Sequence, residues 1–191
     1  MLVDSHCHLD FPDFKDELDG VVARAKAAGI GRLVTISTRV RRQDGLLAIA
    51  ERFPDVFCSI GTHPHHAHEE LDIGTADLVE RTRHPKVVAI GEAGLDYHYD
   101  NSPRDAQEQG FRAHIAAARE TGLPLVIHAR DADADVANIL RNEVKKGAKL
   151  NQGRIEKEED ARGFWLVKPD GSPSKSSEYL MNVLAHAGGK L

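Results

Sequence analysis

Short apolar runs recur along this chain, each followed by a segment whose apolar residues fall three and four apart. That alternation constrains the fold more than any other feature. A strand followed by a covering helix, repeated, buries both faces of a parallel sheet. The strand-like runs are Leu2–His8, Arg32–Ser37, Val56–Gly61, Val88–Asp96 and Leu123–His128. Between them, Lys15–Ala28 carries Leu18, Val21, Val22 and Ala25 on one stripe, and Gly29 stands where a left-handed cap is needed. Arg42–Arg52 carries Leu46, Leu47 and Ile49 and stops before Pro54, and a short helix spans Ala76–Arg83. A long helix begins at Ser102 as N-cap with Pro103 at its first position, carries Phe111, Ile115 and Ala118, and ends at Gly122. A fifth helix starts near Ala132 with Val136, Ile139 and Leu140 inward.

The expected fold class is therefore α/β: a TIM-barrel-like (β/α) repeat over residues 1–142, incomplete, with about five β/α units. Beyond Asn142 the pattern breaks. From Arg141 to Arg162, twelve of twenty-two residues are charged, which reads as a solvated segment. Residues 143–191 are expected to form an unrelated tail, partly disordered, with a strand at Gly163–Lys168 and a helix at Ser177–Ala187.

At 191 residues one domain suffices. The net charge of -5 supplies no basic field, so nucleic acid would be held by a local site and not by the whole surface. Cys7 and Cys58 lie in apolar runs without CxxC spacing, which predicts two free thiols in a reducing cytoplasm. No run approaches the about 20 apolar residues of a membrane span, so no membrane partner is expected.

Three of the strand-like runs stop at metal-ligand residues: His6-Cys7-His8, Glu92 and His128. Side chains two apart on a strand point the same way, so His6 and His8 can share one divalent ion. By the same alternation Leu2, Asp4, His6 and His8 share a face, as do Val88, Ile90 and Glu92, and Val126 and His128. Each residue alone has an ordinary structural explanation: a polar rim pair, a loop carboxylate, a core histidine. Their common position at strand ends favours a metal site at the C-terminal rim, where barrels of this type keep their chemistry. Glu92 lies between Gly91 and Gly94, small residues that admit close backbone approach, and its carboxylate can bridge two ions. His63, Pro64, His65, His66 and His68 form a less specific loop cluster whose histidines can donate to phosphate. Arg130 and Asp131 either pair with each other or face a phosphate.

Taken together, His6-x-His8-Leu9-Asp10, Gly61-Thr62-His63-Pro64-His65, Ile90-Gly91-Glu92-Ala93-Gly94-Leu95-Asp96 and Leu125-Val126-Ile127-His128-Ala129-Arg130-Asp131 strongly resemble the TatD family of metal-dependent hydrolases, usually described as deoxyribonucleases with an amidohydrolase-like barrel. The resemblance implies two divalent metal ions (Mg²⁺, Mn²⁺ or Zn²⁺). His6 and His8 would serve one ion, Glu92 would bridge as the catalytic carboxylate, and His128 would serve the other. His63, His65 and Arg130 would face the substrate, DNA that is single-stranded or presented as a 3′ end. The family's sixth strand with a further histidine, and its later Thr-Asp pair, have no counterpart here, so the chain reads as a C-terminally truncated or frame-shifted copy. Two alternatives remain: a catalytically inactive metal-binding remnant, and an amidohydrolase-like enzyme of another class. The latter would normally bridge its ions with a carboxylated lysine where this chain has Glu92.

Overall fold

The computed structural model describes residues 2–145 and 179–183. Strands β1 (Leu2–Cys7), β2 (Ile30–Thr35), β3 (Val56–Ile60), β4 (Val87–Asp96) and β5 (Leu125–Arg130) form a parallel sheet in chain order. Between and after them come α1 (Leu18–Ala27), α2 (Gln43–Arg52), α3 (Thr75–Arg81), α4 (Arg104–Thr121) and α5 (Asp133–Lys145). Sequential strands pairing in order, each returned by a helix, is the beginning of a (β/α) barrel; among the described residues five parallel strands build it. The helices start and stop where the sequence provides for it: Gly29 and Gly122 follow α1 and α4 with φ of 90° and 72°, the left-handed conformation that glycine adopts without penalty.

Alternation along the strands separates two cores. Leu33, Ile90 and Ile127 face the helices and pack with Val22, Leu46, Leu78, Phe111 and Ile115. Their strand neighbours Ala89 and Val126 turn to the other face, where they cluster with Ile36 and Val34. This second, smaller cluster is the inner lining of the partial barrel.

The face of Glu92 differs from the alternation reading. Ile90 pairs with Leu125 and Ala93 with Ile127, so three steps on β4 answer two on β5. This bulge reverses the parity of the strand. Ala93 and Leu95 therefore join the helix-side core, and Glu92 shares the inner face with Ala89 instead of Val88 and Ile90.

Two other expectations are corrected. Ser102 does not cap α4: its hydroxyl lies 2.9 Å from the backbone N–H of His68, which it accepts, and 2.8 Å from His68 Nδ1, and the helix begins at Arg104. Tyr179–Val183, inside the segment read as a terminal helix, runs as β6, antiparallel to β5. The last parallel strand presents unpaired N–H and C=O groups, and backbone pairing along that edge satisfies them. Helix α5 continues to Lys145, and Glu143 in its last turn is buried at 2.8 Å from the Arg112 guanidinium. The strand expected at Gly163–Lys168 lies outside the described residues.

Candidate metal centre

The C-terminal ends of β1, β4 and β5 and the loop after β3 meet at one rim. On β1, the backbone N–H of His6 is tied to Asp4 Oδ1 at 3.1 Å. His8 Nδ1 lies 3.1 Å from the carbonyl of Ile36 and donates to it. A neutral imidazole has one donor and one acceptor nitrogen, so that bond leaves the Nε2 lone pair of His8 directed at the site. His8 Nε2 is 3.3 Å from His6 Nε2, which is 3.5 Å from Glu92 Oε2.

Glu92 is only 2% exposed. Its N–H donates to the Ser37 carbonyl at 3.1 Å, and the Ser37 hydroxyl donates to the Gly61 carbonyl at 2.8 Å, which anchors the carboxylate to the ends of β2 and β3. Oε1 stands 3.0 Å from His128 Nδ1 and 3.9 Å from His63 Nε2. Burial pushes the Glu92 carboxyl up, but the His128 hydrogen bond and the charges of His63, His128 and His6 outweigh it and bring its pKa to about 2. Burial lowers His128, yet hydrogen bonding and charge from Glu92 and Asp96 prevail and raise it. Burial takes His63 down to about 3 despite the opposing pull of Glu92, so its ring is neutral. His63 Nδ1 accepts the backbone N–H of His65 at 3.2 Å, so its proton sits on Nε2, 3.1 Å from His128 Nδ1.

Two groups could hold an ion, with ligand atoms within 4.8 Å of one another: His6, His8 and Glu92, and His63, Glu92 and His128. Glu92 belongs to both. The first group fits a divalent ion with three lone-pair donors, imidazole and carboxylate, a set that suits Zn²⁺ or Mn²⁺. In the second, Glu92 offers a lone pair, His128 offers one at Nδ1 only when its ring is neutral, and His63 presents an N–H. The metal fit is therefore complete on one side of Glu92 and partial on the other.

His65 Nε2 lies 2.7 Å from Asp96 Oδ2, and the Arg130 guanidinium stacks 4.3 Å above the Tyr99 ring, which meets His65 edge-on. Asp131 pairs with His98 at 3.1 Å. His66 joins Arg39 and Glu69 in a hydrogen-bonded cluster, and His114 is buried between the Thr62 N–H and the Gly110 carbonyl; these are structural contacts. Asp96 ends the family-like motif that contains Glu92, but the motif assigns it no definite role. It is fully buried and in contact with both His65 and His128.

A partial (β/α) barrel with a histidine–carboxylate centre at the C-terminal rim defines the class of the molecule. The sequence model of the family described as TatD related DNase matches residues 3–161, and the chain belongs to that family. The match continues past Asn142, where the motif reading stopped. The chain is 41% identical over 143 residues to the uncharacterized metal-dependent hydrolase YabD of Bacillus subtilis (strain 168), covering 75% of this chain and 56% of that protein. It is 36% identical over 142 residues to the 3′-5′ ssDNA/RNA exonuclease TatD of Edwardsiella piscicida, covering 73% and 54%. The crystal structure of YjjV, a TatD homologue from Escherichia coli K12, superposes with a TM-score of 0.68 at 29% identity, over 74% of this chain and 55% of that one. The chain thus spans about half the length of these relatives. No described helix is long and apolar enough to cross a membrane.

Proposed function

We propose that this chain is a metal-dependent phosphodiester hydrolase acting on DNA, single-stranded or at 3′ ends, with two divalent ions centred on Glu92. The observation that carries the reading is the convergence of His6, His8 and His128 on one buried carboxylate at a barrel rim. The name of the Edwardsiella relative, a 3′-5′ ssDNA/RNA exonuclease, supports the substrate class.

His6, His8 and Glu92 would hold one ion, and Glu92 with His128 the other. Ions bound there would supply charge neutralisation at the phosphoryl oxygens and activate a water as nucleophile at neutral pH. Glu92, which belongs to both groups and is held ionised by the surrounding histidines, would give each ion a carboxylate oxygen. His63 is neutral with its proton on Nε2, which suits it to donate to a phosphate oxygen of the substrate. Arg130, held over Tyr99 beside His65, adds a cation at the same mouth. The free thiols Cys7 and Cys58 fit a reducing, cytoplasmic location. We place the catalytic residues within residues 1–142, with residues 179–183 returning to pair with β5.

A second reading, a metal-binding chain without turnover, draws on one observation. Among the described residues, no candidate ligand group contains a residue beyond His128. Mn²⁺- and Mg²⁺-dependent cleavage of a single-stranded DNA oligonucleotide separates the two, with Glu92→Ala and His128→Ala beside the unaltered chain. Cleavage that disappears in both variants supports the hydrolase; cleavage retained in Glu92→Ala refutes the site; no cleavage by the folded, metal-loaded chain favours the second reading.

A further inference from the structure

We propose that Asp96 is a positioning residue that fixes which ring nitrogen of His128 faces Glu92, and that it holds His65 through the same oxygen. The inference rests on the metal-centre reading above and extends it to a residue outside either ligand group.

Asp96 is fully buried, and its surroundings leave it little freedom. Its N–H donates to Gln107 Oε1 at 2.7 Å, while Gln107 Nε2 donates to the Asp96 carbonyl at 3.2 Å and to the Ser102 carbonyl at 2.8 Å. Gln107 is itself 1% exposed, so a rigid clamp on α4 holds the end of β4. Within the carboxylate, Oδ1 accepts the N–H groups of His98 at 3.1 Å and Tyr99 at 3.0 Å. That leaves Oδ2 for the two imidazoles, His65 Nε2 at 2.7 Å and His128 Nε2 at 3.0 Å.

An ionised carboxylate only accepts, so both rings carry a proton on Nε2. For neutral His128 this makes Nδ1 a bare acceptor. The chain of donors is then consistent throughout: His65 N–H to His63 Nδ1, His63 Nε2–H to His128 Nδ1, His128 Nε2–H to Asp96. The protonated ring donates from Nδ1 to Glu92 Oε1 at 3.0 Å, but in the neutral ring with its proton on Nε2 that contact sets two lone-pair bearers against each other. A cation between them resolves that contact, and a carboxylate behind a ligand histidine is the usual means of orienting it.

Asp96→Asn tests the idea with almost no change of shape. The two backbone N–H groups at Oδ1 require the amide oxygen there, which places the amide NH₂ against both Nε2 atoms. Each ring must then accept at Nε2 and carry its proton on Nδ1, so His128 would point an N–H at Glu92. The experiment is ¹⁵N NMR of the histidine rings in the full chain, metal-free and at alkaline pH, together with Zn²⁺ titration calorimetry and thermal melting. Asp96→Ala, which removes the steering without imposing the opposite tautomer, is run in parallel. The expected result is a His128 ring protonated on Nε2 in the unaltered chain, inverted in Asp96→Asn and mixed in Asp96→Ala. Zn²⁺ affinity at the Glu92–His128 position should fall about 10–100-fold in Asp96→Asn, the usual cost of losing an outer-shell partner. A His128 ring protonated on Nδ1 in the unaltered chain, or the same tautomer in all three proteins, overturns the proposal. So does a Zn²⁺ affinity that is measurable and equal in the unaltered chain and Asp96→Asn. If the tautomers follow the expected pattern and the unaltered chain binds no Zn²⁺, the metal-centre reading falls and the assignment of Asp96 stands.

Discussion

Gly94 is the register partner of His128, and no side chain fits between them: a Cβ on Gly94 would fall inside the van der Waals envelope of the His128 carbonyl. Its φ of 154° adds a conformation that side-chain-bearing residues rarely adopt. The close approach sets His128 against the strand that carries Glu92 and Asp96.

Gly94→Ala should therefore cost stability and disturb the site together. The backbone conformation alone accounts for about 1–3 kcal/mol, and separating β4 from β5 adds to it. At about 2–4 °C per kcal/mol for a chain of this size, circular dichroism melting should show a clear drop. An unchanged melting temperature would mean the strands shift apart freely.

Metal binding should be unequal at the two positions. His6, His8 and Glu92 give one ion three donors, whereas Glu92 and His128 give the other two. Calorimetric titration with Mn²⁺ or Zn²⁺ should resolve a tighter and a weaker step. His8→Ala should remove the tighter one, His128→Ala the weaker one, and Glu92→Gln should weaken both by more than the roughly 10–100-fold typical of an outer-shell loss. Two equal steps, or loss of the same step in both histidine variants, would contradict the geometry.

Without metal, the same residues should give the chain a stability maximum near pH 6.5. His128 has its folded pKa raised above 6.5, so its contribution is present below 6.5 and is lost as pH rises through the folded value. His63 runs the other way: lowered from 6.5 to about 3, it must be protonated on unfolding, and stability falls as pH drops across that window. Glu92, lowered from 4.5 to about 2, removes more stability below pH 4.5. Melting in the presence of a chelator from pH 3 to 9 (roughly the span these shifts affect) should trace the peak. In His63→Ala the acidic limb between 6.5 and 4.5 should become shallower, the remainder coming from His114, which burial also lowers; an unaltered limb would place the titration elsewhere.

Both thiols should be inert in the folded chain. Burial raises Cys7, helped by Asp4 and Asp10, and burial raises Cys58, each to about 12. Thiolate is the reactive form, so iodoacetamide at mildly alkaline pH should leave both unlabelled by mass spectrometry and label both in denaturant. Rapid labelling of native Cys58, which is fully buried, would show that the β3 region opens.

What the sequence determined by itself is the set of elements and the identity of the site's anchors. Apolar runs alternating with helical stripes specify strand and helix directly, because the periods of 2 and 3.6 are local properties of the chain. Gly29 and Gly122 marked helix ends for the same local reason. The histidines and Glu92 were legible because each closes an apolar run, and a parallel sheet brings all its strand ends to one rim. Tertiary structure decided the rest. The face of Glu92 depends on a bulge defined only by the register of β4 against β5, and strict alternation points the wrong way. The course of Tyr179–Val183 depends on the open edge of β5, a partner far away in sequence, which outweighs the helical spacing of its apolar residues. Asp96 gained its place only when folding brought His65, His98, Tyr99, Gln107 and His128 around one carboxylate. A hydrogen-bonded carboxylate is defined by what surrounds it in space, and no spacing along the chain encodes that.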